Sequence, residues 1–526
     1  MIKEKIRSYI HENAKVDWHD NIASFAVSTS DIVVVVRKLY ANKNLSLKLI
    51  TATDERTEHG CFKVWYIFAY PKENVFIVPF LELKNTTEFP SLSNIIHSTW
   101  SYEKKIKTFF GLNPTGHLDA RPIILHENWP VDVFPLRKDF AWNMHPQEAR
   151  GKYQFQKIEG EGIYEIPVGP IHAGIIEPGH FRFSVAGESI VYLEPRLGYT
   201  HKGSEKLFET FSIDDKINLS EKISGDSSFS HSLAFCQALE KLNNTVVPVR
   251  ALYLRVIYAE LERLANHFGD IGAIMMDTGF NFGGAQGSRL REMLMQINER
   301  LTDSRFLRGV NIIGGVIKDI TDVEKNKLSV ELKDINQDFT EVMQVAENSA
   351  SLLNRLKGTG MLSLATAQRH DVTGVAGKAV GIVKDARIDY PYAAYGELFL
   401  GEIVTELEGD VYARFHVRAK EAYASIKIII DALEKLPKGD INIPNHKIVF
   451  AKNTFSISIV EGWRGEIVYF VTTDANGDIS RVVPRDPSFV NWAVLGQASF
   501  DNIVPDFPLI NKSFNLSYSG NDLQLE

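Results

Sequence analysis

The chain has 526 residues, 44% of them hydrophobic and 24% charged, with a formal net charge of −8. That length calls for more than one domain and a large core, and the acidic balance excludes nucleic acid as the main partner, because phosphate binding needs a basic surface. Two cysteines, Cys61 and Cys236, exclude a disulfide framework and an iron–sulfur cluster held by four cysteines of this chain.

The first twenty residues are charged and show no apolar core of a secretory signal. No run approaches the roughly 18 apolar residues of a membrane span. A reducing, cytoplasmic setting fits two unpaired cysteines. Residues 30–39, SDIVVVVRKL, suit either a strand, by valine propensity, or a short buried helix capped by Ser30. The runs 45–51, 62–70 and 75–83 read as strands, the last two as a hairpin around PKEN at 71–74. Residues 91–111 read as a helix closed by Gly111. Residues 1–140 thus form a small layered α+β domain. The polar, turn-rich stretch 141–160 reads as a linker, and residues 161–526 as a second domain.

That domain opens on IPVGPIHAGIIEPGHFRF, 166–183. Its prolines stop helix continuation, and Gly169, Gly174 and Gly179 permit tight turns. His172, Glu177, His180 and Arg182 therefore hang on a fixed backbone, which suits proton or charge handling and equally suits a structural loop. Short strands at 181–185 and 189–193 follow. A helix after Pro248 buries Tyr253, Ile257, Leu261, Leu264, Phe268 and Ile271, and Glu260, Arg263 and His267 on an adjacent stripe either line a polar seam or, as is expected here, pair with each other and a neighbour. Leu290, Leu294, Ile297 and Leu301 mark another helix. The spacing predicts one long helix from Leu328 to Leu356, capped by Thr321 with Glu324, and a last one over 411–436. Strands are expected at 447–451, 454–460 and 466–473. The glycine-rich FGGAQG (282–287) and GTG (358–360) read as loops, since neither lies in a βαβ unit with an acidic residue beyond it. The fold class is α+β: a small α/β-layer domain, then a mainly helical bundle with peripheral strands.

Several of these segments carry a resemblance. GPIHAGIIEPGHFR resembles the opening of the large subunit of formate-hydrogenlyase-type, group-four nickel–iron hydrogenases, and less closely that of the D subunit of respiratory complex I. GYTHKGSEKLFE (198–209), the 367–395 segment, GDVYARFHVR (409–418), EGWRGEIVY (461–469) and RDPSFVN (485–491) continue it. Trp100, Glu103, FFGL (109–112), GHLDARPIIL (116–125) and PLRKDF (135–140) are similar in order to the complex I C subunit, although Lys107 stands where that family has an aspartate. The fused order, C-type then D-type, is that of the hydrogenlyase large subunit.

The resemblance implies a metal site that these residues do not supply. Alignment with the hydrogenase motifs puts Ser224, Ser227, Ser517 and Gly520 at the four cysteine positions of a nickel–iron pair, which requires soft thiolates. Complex I uses the vacated cavity for quinone; its tyrosine falls here at Gly225, and its histidine matches His180 across a short insertion. The implied reading is a peripheral large subunit on the inner face of the cell membrane, with electrons arriving from an iron–sulfur small-subunit partner similar to the complex I B subunit. Antiporter-like membrane subunits complete the implied partners. A quinone or other small acceptor would enter the cavity, this chain binding no metal or other cofactor, and NADH would be handled elsewhere. His172, Glu177, His180, Asp226 and His231 are the candidate proton-handling groups. The alternative is a structural, energy-coupling subunit without turnover.

Overall fold

The computed structural model describes residues 6, 9, 15–119, 121–172, 176–398, 401–444 and 447–522. Gly174 of the opening loop lies outside them.

The valine run at 32–41 is a helix, because Ile32, Val35, Val36 and Leu39 fall on one face and are buried. Asp31, not Ser30, occupies its N-cap. The helix lies beside a five-stranded sheet ordered Asp17–His19, Ile22–Ala26, Val75–Leu83, Cys61–Tyr70 and Ser46–Glu55. The expected hairpin is present, with Asn74 in the left-handed region at φ 48° and Tyr70 opposite Val75. The Thr99–Phe110 helix is shorter than expected at its start and ends on Gly111 at φ 68°.

The core of this sheet does not stop at the domain boundary. It continues into Ile457, Ile459, Val468 and Phe470 of a C-terminal sheet built from Phe455–Gly462, Gly465–Thr473 and Ile479–Arg485. Trp65 sits 5.2 Å from the Phe455 ring and 5.6 Å from Phe470. PLRKDF docks here: the Lys138 Nζ donates to the Ser480 carbonyl at 2.6 Å and pairs with Glu209 at 3.2 Å. Residues 141–160 contain no regular element, yet Tyr153 and the Gln156 backbone N–H both donate to Glu194 at 2.8 Å. The stretch is therefore tied down along the second domain.

A three-stranded sheet, with His180–Ala186 between Ile163–Val168 and Ser189–Arg196, carries the opening loop. The bundle follows. The Val249–Asp277 helix packs against Asn281–Thr302 on one side and Val411–Lys435 on another.

Three expectations are corrected. FGGAQG is not a loop but the first turns of the Asn281–Thr302 helix. Its glycines admit the neighbouring helix: a Cβ on Gly287 would stand 2.5 Å from the Gly272 Cα. The long helix at 328–356 is two helices, Asp322–Glu347 and Ala350–Leu356. Ser349 starts the second by accepting the Leu352 N–H, and the buried positions move to Leu352 and Leu356. Residues 447–451 join no sheet; the Ala451 N–H donates to the Leu242 carbonyl instead.

Candidate functional site

Four segments distant in sequence converge on one buried polar cluster. A turn after the Ile213–Ser220 helix presents Ser224 and Asp226, and the start of the Ser228–Leu242 helix presents Ser227 and His231. The tip between strands Phe455–Gly462 and Gly465–Thr473 presents Arg464. The end of Ile479–Arg485 places Asp486, and the turn after helix Phe507–Phe514 places Ser517 and Gly520.

Three of the four positions aligned with the missing cysteines meet, and the hydroxyl of the fourth, Ser227, is met instead by Arg464 at 3.5 Å. The Ser224 hydroxyl donates to the Ser517 Oγ at 2.9 Å, and the Gly520 N–H donates to the same Oγ at 2.9 Å. Arg464 lies across them. It donates to Ser224 Oγ at 3.1 Å and forks onto Asp226 at 2.5 and 2.7 Å. Burial raises the Asp226 carboxyl, and the Arg464 charge and fork outweigh it, holding its pKa below the usual carboxylate range. His231, fully buried, bridges the Asp486 carboxylate at 3.0 Å and the Tyr469 hydroxyl at 3.1 Å. Burial raises Asp486, and the bond to His231 together with the neighbouring charges brings it below its ordinary value.

The donor set does not fit a nickel–iron pair. Three hydroxyls and a glycine replace thiolates. At Gly520 a Cβ would stand 2.6 Å from the Asp486 Cγ, so a cysteine there would require the carboxylate to move. Cys236 is buried within the Ser228–Leu242 helix, and burial raises its thiol further from the reactive thiolate.

The five candidate residues divide. Asp226 and His231 belong to the cluster. Glu177 borders it, its Oε2 accepting the N–H groups of Tyr518 and Ser519 at 3.2 and 3.3 Å. His172 and His180 are tied to their own loop, bonded to the carbonyls of Gly179 at 2.7 Å and Gly169 at 3.2 Å. The expectation that His180 faces the cavity is corrected on this point. Its ring packs 5.2 Å from Phe155 of the 141–160 stretch, and its buried Nε2 has no hydrogen-bond partner. Burial, with the charges of Arg182 and Arg196, lowers its pKa against the bond to the Gly169 carbonyl.

Arg464, Asp486, Tyr469 and Glu262 were not singled out from the sequence. The first three stand in EGWRGEIVY and RDPSFVN, where an arginine between glycines at a hairpin tip and an aspartate before proline were the available signals. Glu262 gives no signal beyond its place on a long helix. Its carboxylate accepts the Phe229 and Ser230 N–H groups at 2.7 and 3.1 Å, fixing the start of the helix that carries His231. Burial pushes its pKa up to about 7. Glu260, Arg263 and His267 do form pairs: Arg263 with Glu260 at 3.3 Å, and His267 with Glu421 at 2.8 Å.

Known proteins resemble this chain in sequence and in fold. Residues 277–458 match the family model for the 49 Kd subunit of respiratory-chain NADH dehydrogenase, and residues 25–146 match that for the 30 Kd subunit. Formate hydrogenlyase subunit 5 of Escherichia coli strain K12 is 31% identical over 93% of this chain and 86% of its own. Hydrogenase-4 component G of the same organism is 32% identical with the same coverage. Among solved structures, a chain of the membrane-bound sulfane sulfur reductase, an archaeal respiratory membrane complex, superposes with a TM-score of 0.65 at 26% identity. That match covers 69% of this chain and 99% of the other. Among the described residues, no helix is long and apolar enough to cross a membrane.

Proposed function

The chain belongs to the family of fused large subunits represented by formate hydrogenlyase subunit 5 and hydrogenase-4 component G, and from that membership we propose that it is the peripheral large subunit of a membrane-bound, ion-translocating oxidoreductase. Electrons come from an iron–sulfur cluster in a partner small subunit and reduce a quinone or another small acceptor beside the Ser224–Ser517 cluster. The chain holds no nickel–iron pair. Antiporter-like membrane subunits use the released energy.

The observation that supports this reading most is the fork of Arg464 onto Asp226 beside Ser224. A fixed cation among hydroxyl groups and a paired histidine suits an acceptor that gains negative charge and then protons. Asp226, His231 and Glu177 are the proton-handling groups; the chain's part is to orient the acceptor and supply those protons.

The second reading, a structural subunit without turnover, has its own support. Two of the three hydroxyls at the cysteine positions, Ser224 and Ser517, bond each other, and His172 and His180 serve their own loop. The assembled complex separates the two. Reduced through the iron–sulfur subunit, it should reduce a short-chain quinone or an alternative small acceptor, and Arg464→Met should lower the rate. Absence of acceptor reduction from an intact, reducible complex would favour the structural reading.

A further inference from the structure

Beside the cluster, a second set of buried ionisable groups reaches the boundary between the two halves of the molecule. Glu461 lies at its centre. Its Oε2 accepts the Ala386 N–H at 2.9 Å, and its Oε1 lies 3.6 Å from the Lys378 Nζ. Lys378 bonds Glu421 Oε1 at 2.6 Å and Asp385 at 2.7 Å, and the other oxygen of Glu421 meets His267 Nε2 at 2.8 Å. His267 Nδ1 is buried without a hydrogen-bond partner. Its ring stands edge-on to Trp463, 6.4 Å between centroids, and the Trp463 indole N–H donates to the Asp226 carbonyl. This set therefore ends against the candidate site.

On its other side Glu461 borders a cavity of about 30 Å³ between the two halves of the chain. Ser46, Ser98, Asp371, Thr373, Asp385 and Glu466 also line it. A cavity of roughly 10–15 Å³ or more with several polar partners holds water. The Ser46 and Thr373 hydroxyls are buried without hydrogen-bond partners, which is what an ordered water would satisfy. Ser98 donates to Asp371 at 2.5 Å and is shared with a larger cleft of about 480 Å³ that also includes His97, Trp100 and His370. Exposed Lys384 lines the small cavity as well.

We propose that the cavity between the two halves of the chain is a water-filled proton entrance, and that Glu461 passes protons from it through Lys378, Glu421 and His267 to the candidate site. The proposal rests on the redox reading above. One proton moves per passage: the Lys378 ammonium first releases one to Glu421, the amine so formed takes one from protonated Glu461, and Glu461 is reprotonated from the cavity. Glu421 hands its proton to His267 Nε2 and His267 releases one from Nδ1, so each group regains its starting charge. Around Glu461 the charged groups are Asp385 and Arg387, Lys378, Arg263 and Glu260 on the 249–277 helix, and Glu421 on the 411–435 helix. Burial and the Asp385 charge raise the Glu461 pKa against the pull of Lys378 and Arg263. The fused architecture then has a use: the cavity exists only where the first domain covers the second.

The test has two arms. In the assembled complex, Glu461→Gln should lower acceptor reduction by roughly 10²-fold and raise the solvent deuterium isotope effect, while assembly is unchanged. Wild-type turnover and isotope effect in this variant would overturn the proposal. The second arm needs no turnover, so it stands if the redox reading fails. Infrared spectra of the full chain should show a protonated carboxyl at neutral pH that is absent from Glu461→Gln. Ser46→Val, which fills the cavity and leaves Glu461 in place, should slow hydrogen–deuterium exchange of that band. A band untouched by Glu461→Gln, or exchange unaltered by Ser46→Val, contradicts the proposal.

Discussion

The molecule contains two buried polar regions built on different arithmetic. In the cluster around Ser224 and Ser517, Asp226 pairs with Arg464 and Asp486 with His231, while Glu177 and Glu262 are held by backbone N–H groups. Around Lys378, four acids (Glu260, Asp385, Glu421 and Glu461) share three cations (Arg263, Lys378 and Arg387), while burial lowers the His267 pKa. In the second region the acids outnumber the cations by one, and burial with the Asp385 charge raises the pKa of Glu461. A cluster of pairs can hold and orient an acceptor, whereas an unbalanced one can move protons.

Removing a cation should hurt the second region more. Arg387 is buried and bonds both Asp385, at 2.7 Å, and Glu260, at 3.0 Å. Arg387→Met leaves two buried acids short of a partner and should cost roughly 3–5 kcal/mol in denaturant unfolding of the full chain. A loss below about 1 kcal/mol would mean that the network adapts and that its charge count is not limiting. Arg464→Met breaks the corresponding pair in the first region. About a third of the Asp226 side chain meets solvent, 34%, so stability should fall only by roughly 1–2 kcal/mol. Acceptor reduction should fall by roughly 10²-fold, because the lost charge faces the acceptor. Equal destabilisation by the two variants would erase the contrast.

His180 belongs to neither region. His180→Ala removes a buried imidazole bonded to Gly169 and packed on Phe155, and should lower stability by roughly 1–2 kcal/mol. Turnover of the assembled complex should stay within a few-fold of wild type; a loss of roughly 10²-fold at unchanged melting temperature would return His180 to the site.

The smallest effect expected is a pH slope. His370 is pushed down to about 4 by burial and by its neighbours His97 and Arg369, and burial also lowers His201 and His267. At these histidines the unfolded chain binds more protons than the folded one once pH falls below the ordinary imidazole value of about 6.5. Their contribution is full above that pH and declines toward pH 4, against the opposite contribution of raised carboxyls such as Glu262. His370→Gln should flatten the decline by roughly 1 kcal/mol, after allowance for solvent on its partly exposed ring. The same pH dependence in wild type and His370→Gln would contradict this.

Much of the architecture was legible because it rests on periodicity. Tyr253, Ile257, Leu261, Leu264, Phe268 and Ile271 are buried as their spacing predicts, although the helix that carries them is buried on most of its other sides as well, and the hairpin around 71–74 stands where its turn residues put it. What escaped depends on distance in sequence. FGGAQG looks like a loop until Gly272 of another helix is seen against it. Ser349 keeps helical spacing yet breaks the helix by capping a new one. The cysteine-position residues were legible by alignment, and Ser224 and Ser517 do meet, but Arg464 and Asp486 reach the cluster only through the strand pairing of residues 455–485. Nor does periodicity show that Trp65 shares a core with Phe455 and Phe470.

The most direct test compares acceptor reduction by the assembled complex isolated from cells grown with and without nickel, each sample assayed for nickel. The account predicts equal rates and no stoichiometric nickel in either. Turnover that appears only with nickel, at one nickel per chain, would contradict it and restore a hydrogenase-type site.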